Sequence, residues 1–168
     1  MADIKLKWYN ARRAEVFGKE LTLVNPMVLT KSDPHTHVEF QFSDRYHSDS
    51  FSATIEDGID GCRFLHIDYS HPERWDTLIV PLSDEEENEA FYRAEELNGH
   101  KYDLIGAITF SPDKDTQKGD PNKFWCSETC AELLKAAGKS LIYRPDRYMP
   151  TGLFFEVFYW LQQNQGVK

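Results

Sequence analysis

Cysteine is scarce in this sequence: its 168 residues include only Cys62, Cys126 and Cys130. Small secreted domains that depend on disulfides carry more cysteines, usually in even number. Cys126 and Cys130 lie four residues apart in a predicted helix, a spacing at which two side chains rarely meet the geometry of a disulfide. The sequence therefore predicts reduced thiols and a protein of a reducing compartment.

Positive charge and long hydrophobic runs are also lacking. Acidic residues number 28 against 19 lysine and arginine residues, which gives a formal net charge of -9. This balance disfavours nucleic-acid binding, because such binding depends on basic side chains that neutralise phosphates. No stretch approaches the length of a membrane span, and the N-terminal sequence has no apolar core of signal-peptide length. We expect a cytoplasmic protein with no nucleic-acid partner and no membrane span.

The apolar content is sufficient for a folded domain. Hydrophobic residues make up 40% of the sequence and aromatic residues 14%, unlike the composition of a disordered chain. No internal repeat or linker divides the sequence. Residues 1–168 are therefore predicted to form a single domain.

The middle of the sequence shows the alternation that is typical of β-strands. His37 to Phe42 alternates strictly, so His37, Glu39 and Gln41 share one face of the predicted strand. The residues before Val24 have no clear period and predict either a short helix or a strand. Three further segments predict strands: 50–55, 62–68 and 75–80.

Three helices are predicted after these strands. The first follows Ser83, whose hydroxyl can cap a run of acidic residues, and ends at Asn98. The second begins at Cys126 and ends near Gly138, and the third covers residues 152–161. Strands in the middle of the chain with helices around them indicate the α+β class.

Cys126 is the strongest candidate for a chemical role. The free N–H groups and the positive dipole at a helix N-terminus favour negative charge, so a cysteine there is favoured as a nucleophilic thiolate. If the sheet presents His37 at this point, the two form a cysteine–histidine pair that can activate the thiol and protonate a leaving group. From position alone, Cys126 fits a small buried hydrophobic residue equally well, and His37 fits a structural histidine.

A metal site is an alternative use of the same residues. His35 and His37 lie on one face of a strand, and Cys126 and Cys130 lie on one face of a helix, so the four could form a tetrahedral zinc site. Both spacings are common by chance, and the sequence has no tight zinc knuckle. We therefore expect no metal and no cofactor.

Short motifs occur in an order that resembles a known superfamily. They are His-Val-Glu-Phe at 37–40, Ser-Phe-Ser-Ala at 50–53 followed by Asp-Gly-Ile, Gly-His-Lys-Tyr-Asp at 99–103, and Trp-Cys-Ser-Glu at 125–128. Over residues 25–155 the chain resembles the circularly permuted papain-like superfamily, which includes YiiX-like amidohydrolases, lecithin:retinol acyltransferase and related phage or viral proteins. Its non-permuted relatives are the NlpC-type cell-wall peptidases. The resemblance implies a permuted papain-like fold, in which a central antiparallel sheet or partial barrel packs on helices and the nucleophile begins a helix.

The resemblance also implies roles for individual residues. Cys126 matches the nucleophile, and His37 matches the base, which precedes the cysteine as it does in permuted members. Tyr102 matches a tyrosine that helps to bind the substrate carbonyl or its oxyanion in NlpC-type relatives. Packing in the core, with a hydrogen-bonded hydroxyl, is an alternative explanation for Tyr102.

The third member of the catalytic triad is where the sequence departs from the family. Many permuted members place Glu or His on the next strand, just before an alanine, and the matching residue here is Ser52. A serine can accept a hydrogen bond from the imidazole, but it cannot stabilise an imidazolium as a carboxylate does. Glu56, Asp57 or a water molecule are other candidates for orienting His37.

The resemblance predicts a cysteine hydrolase, an amidase or peptidase of phage or bacterial type that acts through a thioacyl intermediate. Its substrate would be a peptide, an isopeptide, a cell-wall peptide or a lipid ester, and a phage origin would place it in the virion or the host cytoplasm. The missing acidic residue favours an alternative, a weak or inactive binding or structural module that keeps the papain-like fold.

Overall fold

A five-stranded antiparallel sheet forms the centre of the computed structural model, which describes residues 2–16, 32–56, 58–111 and 120–165. The strands are β1 (Ala2–Asn10), β2 (His35–Gln41), β3 (Ser50–Thr54), β4 (Gly61–Leu65) and β5 (Trp75–Leu82). Their order across the sheet is β4-β3-β2-β1-β5. The predicted strands in the middle of the chain are present, and the α+β class is confirmed.

The N-terminal segment contains both a strand and a helix. In β1, the fully buried Ile4, Leu6 and Trp8 alternate with Lys5 and Lys7, which is the period of a strand with one face toward the core. The strand lies between β2 and β5 and pairs with both. It leads directly into α1 (Ala11–Val16). The rest of the segment before Val24 lies outside the described residues.

The other helices pack on this sheet or beside it: α2 (Asp84–Leu97), α3 (Leu104–Thr109), α4 (Cys126–Ala136) and α5 (Pro150–Gln165). Ser83 caps α2 as predicted, because its hydroxyl accepts the Glu86 N–H at 3.2 Å while the Glu86 carboxylate accepts the Ser83 N–H at 2.8 Å. The short α3 was not predicted. Of the helices in the described ranges, none is both long enough and apolar enough to cross a membrane.

Helix α4 is the most enclosed of the helices and carries Cys126 as its first residue. It packs against β2, β3, α2 and α5. Cys130 and Leu133 are fully buried within it. Since so many elements contact α4, its N-terminus is held in a fixed place relative to β2.

Strands β2 and β3 are paired only at one end, and this brings α4 close to β2. Phe40 pairs with Phe51 and Gln41 with Ser50. The Val38 carbonyl accepts a hydrogen bond from the Ser52 hydroxyl at 2.6 Å and one from Cys130 Sγ at 3.7 Å. These side chains satisfy a strand carbonyl where the ladder between β2 and β3 has ended.

A short parallel pair of strands positions the segment before α4. It consists of β6 (Lys101–Tyr102) and β7 (Lys123–Phe124). The Asp103 N–H donates to the Phe124 carbonyl at 3.1 Å. Because β7 ends two residues before Cys126, this pairing brings Tyr102 to the N-terminus of α4.

A partly buried histidine–aspartate pair joins β2 to β5. His35 Nε2 lies 2.8 Å from Asp76 Oδ2, and Asn10 Nδ2 donates to the same oxygen at 3.1 Å. The hydrogen bond with His35 outweighs burial and, together with those from Asn10 and Arg13, holds the pKa of Asp76 well below its ordinary value of 3.8.

Asp76→Asn is expected to lower the free energy of unfolding near neutral pH by about 1–3 kcal/mol, because it removes this charged acceptor. A carboxyl whose pKa is depressed by folding stabilises the protein above its unfolded pKa, and the stabilisation is lost as the pH falls below that value. The difference in free energy of unfolding between wild type and variant, measured by urea unfolding, should therefore become smaller as the pH falls from about 5 to about 2. Glu89→Gln, at an exposed carboxyl, should unfold with the same free energy as wild type. If the difference between wild type and Asp76→Asn stays constant across this pH range, the stabilising charge does not come from Asp76.

Candidate active site

His37 and Glu39 lie side by side on one face of β2. His37 Nε2 is 2.5 Å from Glu39 Oε1. The Glu39 side chain is 1% exposed and the His37 side chain 22%. The two-residue period of a strand places them on the same face, so the sequence positions the carboxylate next to the imidazole. Glu39 therefore orients the His37 ring.

Cys126 is the second side chain that acts on the His37 ring. A side-chain interaction with Cys126 and negative charge on its sulfur both raise the pKa of His37, so the two side chains are neighbours, and Cys126 is 3% exposed. Because Nε2 of His37 is occupied by Glu39, Nδ1 is the ring nitrogen left for the sulfur. The structure thus places together the cysteine and the histidine that the sequence singles out.

The surroundings of His37 favour its charged form. Burial alone lowers the pKa of His37, but the negative charge of Glu39 and the hydrogen bond with Cys126 outweigh it and raise the pKa from 6.5 to about 10. An imidazolium at neutral pH is the state that stabilises a neighbouring thiolate.

Arg63 from β4 holds Glu39 as a carboxylate. Arg63 Nη1 donates to Glu39 Oε2 at 2.9 Å, and Nη2 donates to Oε1 at 2.5 Å. Burial raises the pKa of Glu39, but the charges of Arg63 and His37 outweigh burial and lower it. A row of alternating charges therefore runs from Arg63 through Glu39 to His37.

Ser52 does not contact the imidazole as the family resemblance implies. It is fully buried, and its hydroxyl donates to the Val38 carbonyl at 2.6 Å. The carboxylate next to the imidazole is instead on the histidine's own strand, at Glu39. The signal for it is present in the sequence, where His37 and Glu39 share one face of an alternating segment. Asp57, another candidate for this role, lies outside the described residues.

Tyr102 lies near Cys126 at the end of β6. Burial raises the pKa of Tyr102 well above its ordinary value of 10.0, and negative charge on Cys126, Glu56 and Asp103 raises it further. A tyrosine in these surroundings keeps its proton at neutral pH and can donate a hydrogen bond. Since the charge of Glu56 acts on Tyr102, Glu56 is near this hydroxyl.

Contacts of neighbouring residues fix the turn that presents Cys126. The Trp125 indole N–H and the Ser127 hydroxyl both donate to the Tyr148 carbonyl, at 2.9 and 2.6 Å. The Trp125 backbone N–H donates to a carboxyl oxygen of Glu128 at 3.4 Å. The N–H groups in the first turn of a helix have no acceptor within the helix. The Cys126 N–H belongs to this first turn and has no acceptor within the helix, so it is available to an oxygen that carries negative charge.

A cleft of about 260 Å³ lies next to the site, although neither Cys126 nor His37 is among the residues that line it. Asp103 and Trp125 line it, and they are the direct neighbours of Tyr102 and Cys126 in the chain. Asp146 and Arg147 line it as well. Polar and aromatic groups in such a cleft can hold the parts of a substrate that flank a reacting bond.

The residues of the alternative zinc site are engaged elsewhere. The His35 ring contacts Asp76 at 2.8 Å and Thr151 at 3.2 Å, while Cys130 Sγ donates to the Val38 carbonyl. In the described part of the chain, no group of three or more His, Cys, Asp or Glu side chains is placed to hold a metal ion. All three cysteines are free thiols.

Comparison of the chain with models of protein families, with curated proteins and with solved structures gives no match. The function of the chain therefore has to be inferred from the geometry of Cys126, His37 and Glu39.

Proposed function

We propose that the protein is a cysteine hydrolase, an amidase or peptidase with a permuted papain-like fold. The observation that carries the proposal is an imidazole held between a buried carboxylate and a cysteine that begins a helix. This is the arrangement that activates a thiol and orients its base. Glu39 supplies the carboxylate whose apparent absence favoured an inactive module.

The proposed reaction starts from an ion pair in which Cys126 is a thiolate and its proton is on His37. The thiolate attacks a carbonyl carbon, and the resulting oxyanion accepts hydrogen bonds from the Cys126 N–H and the Tyr102 hydroxyl. His37 then donates its proton to the leaving amine or alcohol as the C–N or C–O bond breaks, which leaves a thioacyl enzyme. Water, deprotonated by His37, attacks the thioester and releases the carboxylic acid and the free cysteine.

The substrate class is an amide or an ester of a carboxylic acid. A peptide, an isopeptide, a cell-wall peptide and a lipid ester all supply such a carbonyl. The cleft beside Trp125 would hold one side of the scissile bond. Its aromatic and charged lining suits a peptide-like chain with polar groups.

Trapping of the thioacyl intermediate tests this proposal. The protein is incubated with 4-nitrophenyl acetate, quenched in acid, digested and analysed by mass spectrometry. We expect an acetyl group on Cys126, and none on Cys62 and Cys130, because burial raises the pKa of both of these thiols. Equal acetylation of the three cysteines, or acetylation of none, would refute the proposed nucleophile.

Tyr102→Phe is expected to slow acetylation of Cys126 by about tenfold to hundredfold, because it removes one donor to the oxyanion. Alkylation by iodoacetamide forms no oxyanion, so its rate should be unchanged in the same variant. Tyr92→Phe, at an exposed tyrosine, should leave both rates unchanged. Equal loss of acetylation and alkylation in Tyr102→Phe would indicate that Tyr102 only packs against the site.

A further inference from the structure

A fourth, largely buried charged residue, Arg63, lies beside Glu39 in addition to Cys126 and His37. The Arg63 side chain is 13% exposed and makes its ion pair with Glu39. Arg63 Nε is buried and has no hydrogen-bond partner among the described residues. A buried guanidinium without an anion is strongly destabilising. Glu39 therefore compensates the charge of Arg63.

Side chains on the outer face of the sheet separate this ion pair from water. Tyr69 bonds through its hydroxyl to Ser50 at 2.7 Å, and the Lys7 ammonium lies 4.1 Å above the Tyr69 ring. Burial and the charge of Glu39 both raise the pKa of Tyr69, so this hydroxyl stays neutral. With little solvent available, an unbalanced charge near Glu39 cannot be screened.

We propose that Arg63 is a positioning residue that allows Cys126 and Glu39 to be anions at the same time. The inference rests on the proposed function, because it presupposes a thiolate at Cys126. A thiolate, an imidazolium, a carboxylate and a guanidinium add up to no net charge. Without Arg63, one imidazolium would face two anions, and uptake of a proton by the thiolate or the carboxylate would restore neutrality.

Other titratable groups near the site do not replace Arg63. Tyr9 and Lys7 on β1 are opposite His37 and Glu39 in the strand register, and no ion pair joins Lys7 to Glu39 within the described residues. On α4, burial raises the pKa of Cys130 well above its ordinary value, so this thiol is neutral. The raised pKa of Tyr102 keeps that hydroxyl neutral as well. Glu56, near Tyr102, adds negative charge and increases the need for a cation.

Arg63→Met tests the inference, because it removes the charge and keeps much of the side-chain volume. The readout is the rate of Cys126 alkylation by iodoacetamide as a function of pH, followed by peptide mass spectrometry. We expect the rise of this rate with pH to move up by about one pH unit, which corresponds to a rate about tenfold lower at pH values below the rise. Arg63→Lys keeps the charge and should leave the profile close to that of wild type. Arg93→Met, which removes an arginine paired with Glu132 on the other side of α4, is the matched control and should change nothing.

The double variant Glu39→Gln/Arg63→Met separates electrostatics from packing. Each single substitution leaves one buried charge unbalanced, whereas the double variant leaves none. We therefore expect the double variant to alkylate faster at about pH 6 than Glu39→Gln alone. This comparison also decides the case in which Arg63→Met alone does not fold.

Two outcomes would overturn the role of Arg63. One is a reactive Cys126 in wild type whose pH profile is the same in Arg63→Met. The other is a double variant that is no faster than Glu39→Gln. Slow alkylation of Cys126 in wild type would be a different result, since it would refute the proposed function itself.

Discussion

Cys126→Ser is expected to lower the rate of 4-nitrophenyl acetate hydrolysis by at least about a thousandfold. A serine hydroxyl holds its proton far more tightly than a thiol, and the imidazolium beside Glu39 is poorly suited to removing it. The site would keep its donors and its cleft but would lose the group that forms the bond to the acyl carbon. Release of 4-nitrophenol, followed by absorbance, measures the rate.

The matched control for this substitution is Cys62→Ala. Cys62 is buried beside Thr129 Oγ1, with Sγ 3.7 Å from it, and burial raises the pKa of its thiol to about 11. Its loss should therefore leave hydrolysis unchanged. Hydrolysis that persists in Cys126→Ser and disappears in Cys62→Ala would show that the reactive thiol was assigned to the wrong residue.

His37→Gln should slow the alkylation of Cys126 at about pH 6 by about tenfold to hundredfold. An ordinary thiol is only about 0.3% ionised at this pH, whereas an imidazolium partner keeps a thiol largely ionised. The lower intrinsic nucleophilicity of a stabilised thiolate reduces the difference. The measurement is the second-order rate of iodoacetamide incorporation, with the peptide that carries Cys126 quantified by mass spectrometry.

Above about pH 9, the rates of wild type and His37→Gln should converge, because most accessible thiols are then ionised without help. His66→Gln, at a histidine side chain that is 75% exposed, serves as the control and should behave as wild type. If His37→Gln slows alkylation by the same factor at every pH, His37 acts on access to Cys126 and not on its ionisation.

Local pattern was sufficient to predict the elements that carry the site. The alternation from His37 to Phe42 predicted β2 and placed His37 and Glu39 on one face. The acidic run after Ser83 predicted the start of α2, and the loop before Cys126 predicted the start of α4. In each case, the information lies within about ten residues of sequence.

The third residue next to Cys126 and His37 was not assigned, although the same alternation places Glu39 beside His37. The family pattern pointed to Ser52 on the next strand, but β2 and β3 are paired only from Phe40 to Gln41, and the Ser52 hydroxyl is used by the Val38 carbonyl. The contact of Arg63 with Glu39 depends on the pairing of β3 with β4, which places Arg63 opposite Ser52. Such register is set by pairing between distant segments, which local periodicity does not encode.

The pH dependence of alkylation at each of the three cysteines tests the central claim most directly. If His37, held by Glu39, keeps Cys126 ionised, Cys126 should react at about pH 6 at least about tenfold faster than Cys62 and Cys130, and its rate should change little up to about pH 8. A Cys126 that reacts no faster than the other two, with a rate that rises only above about pH 8, would contradict the account.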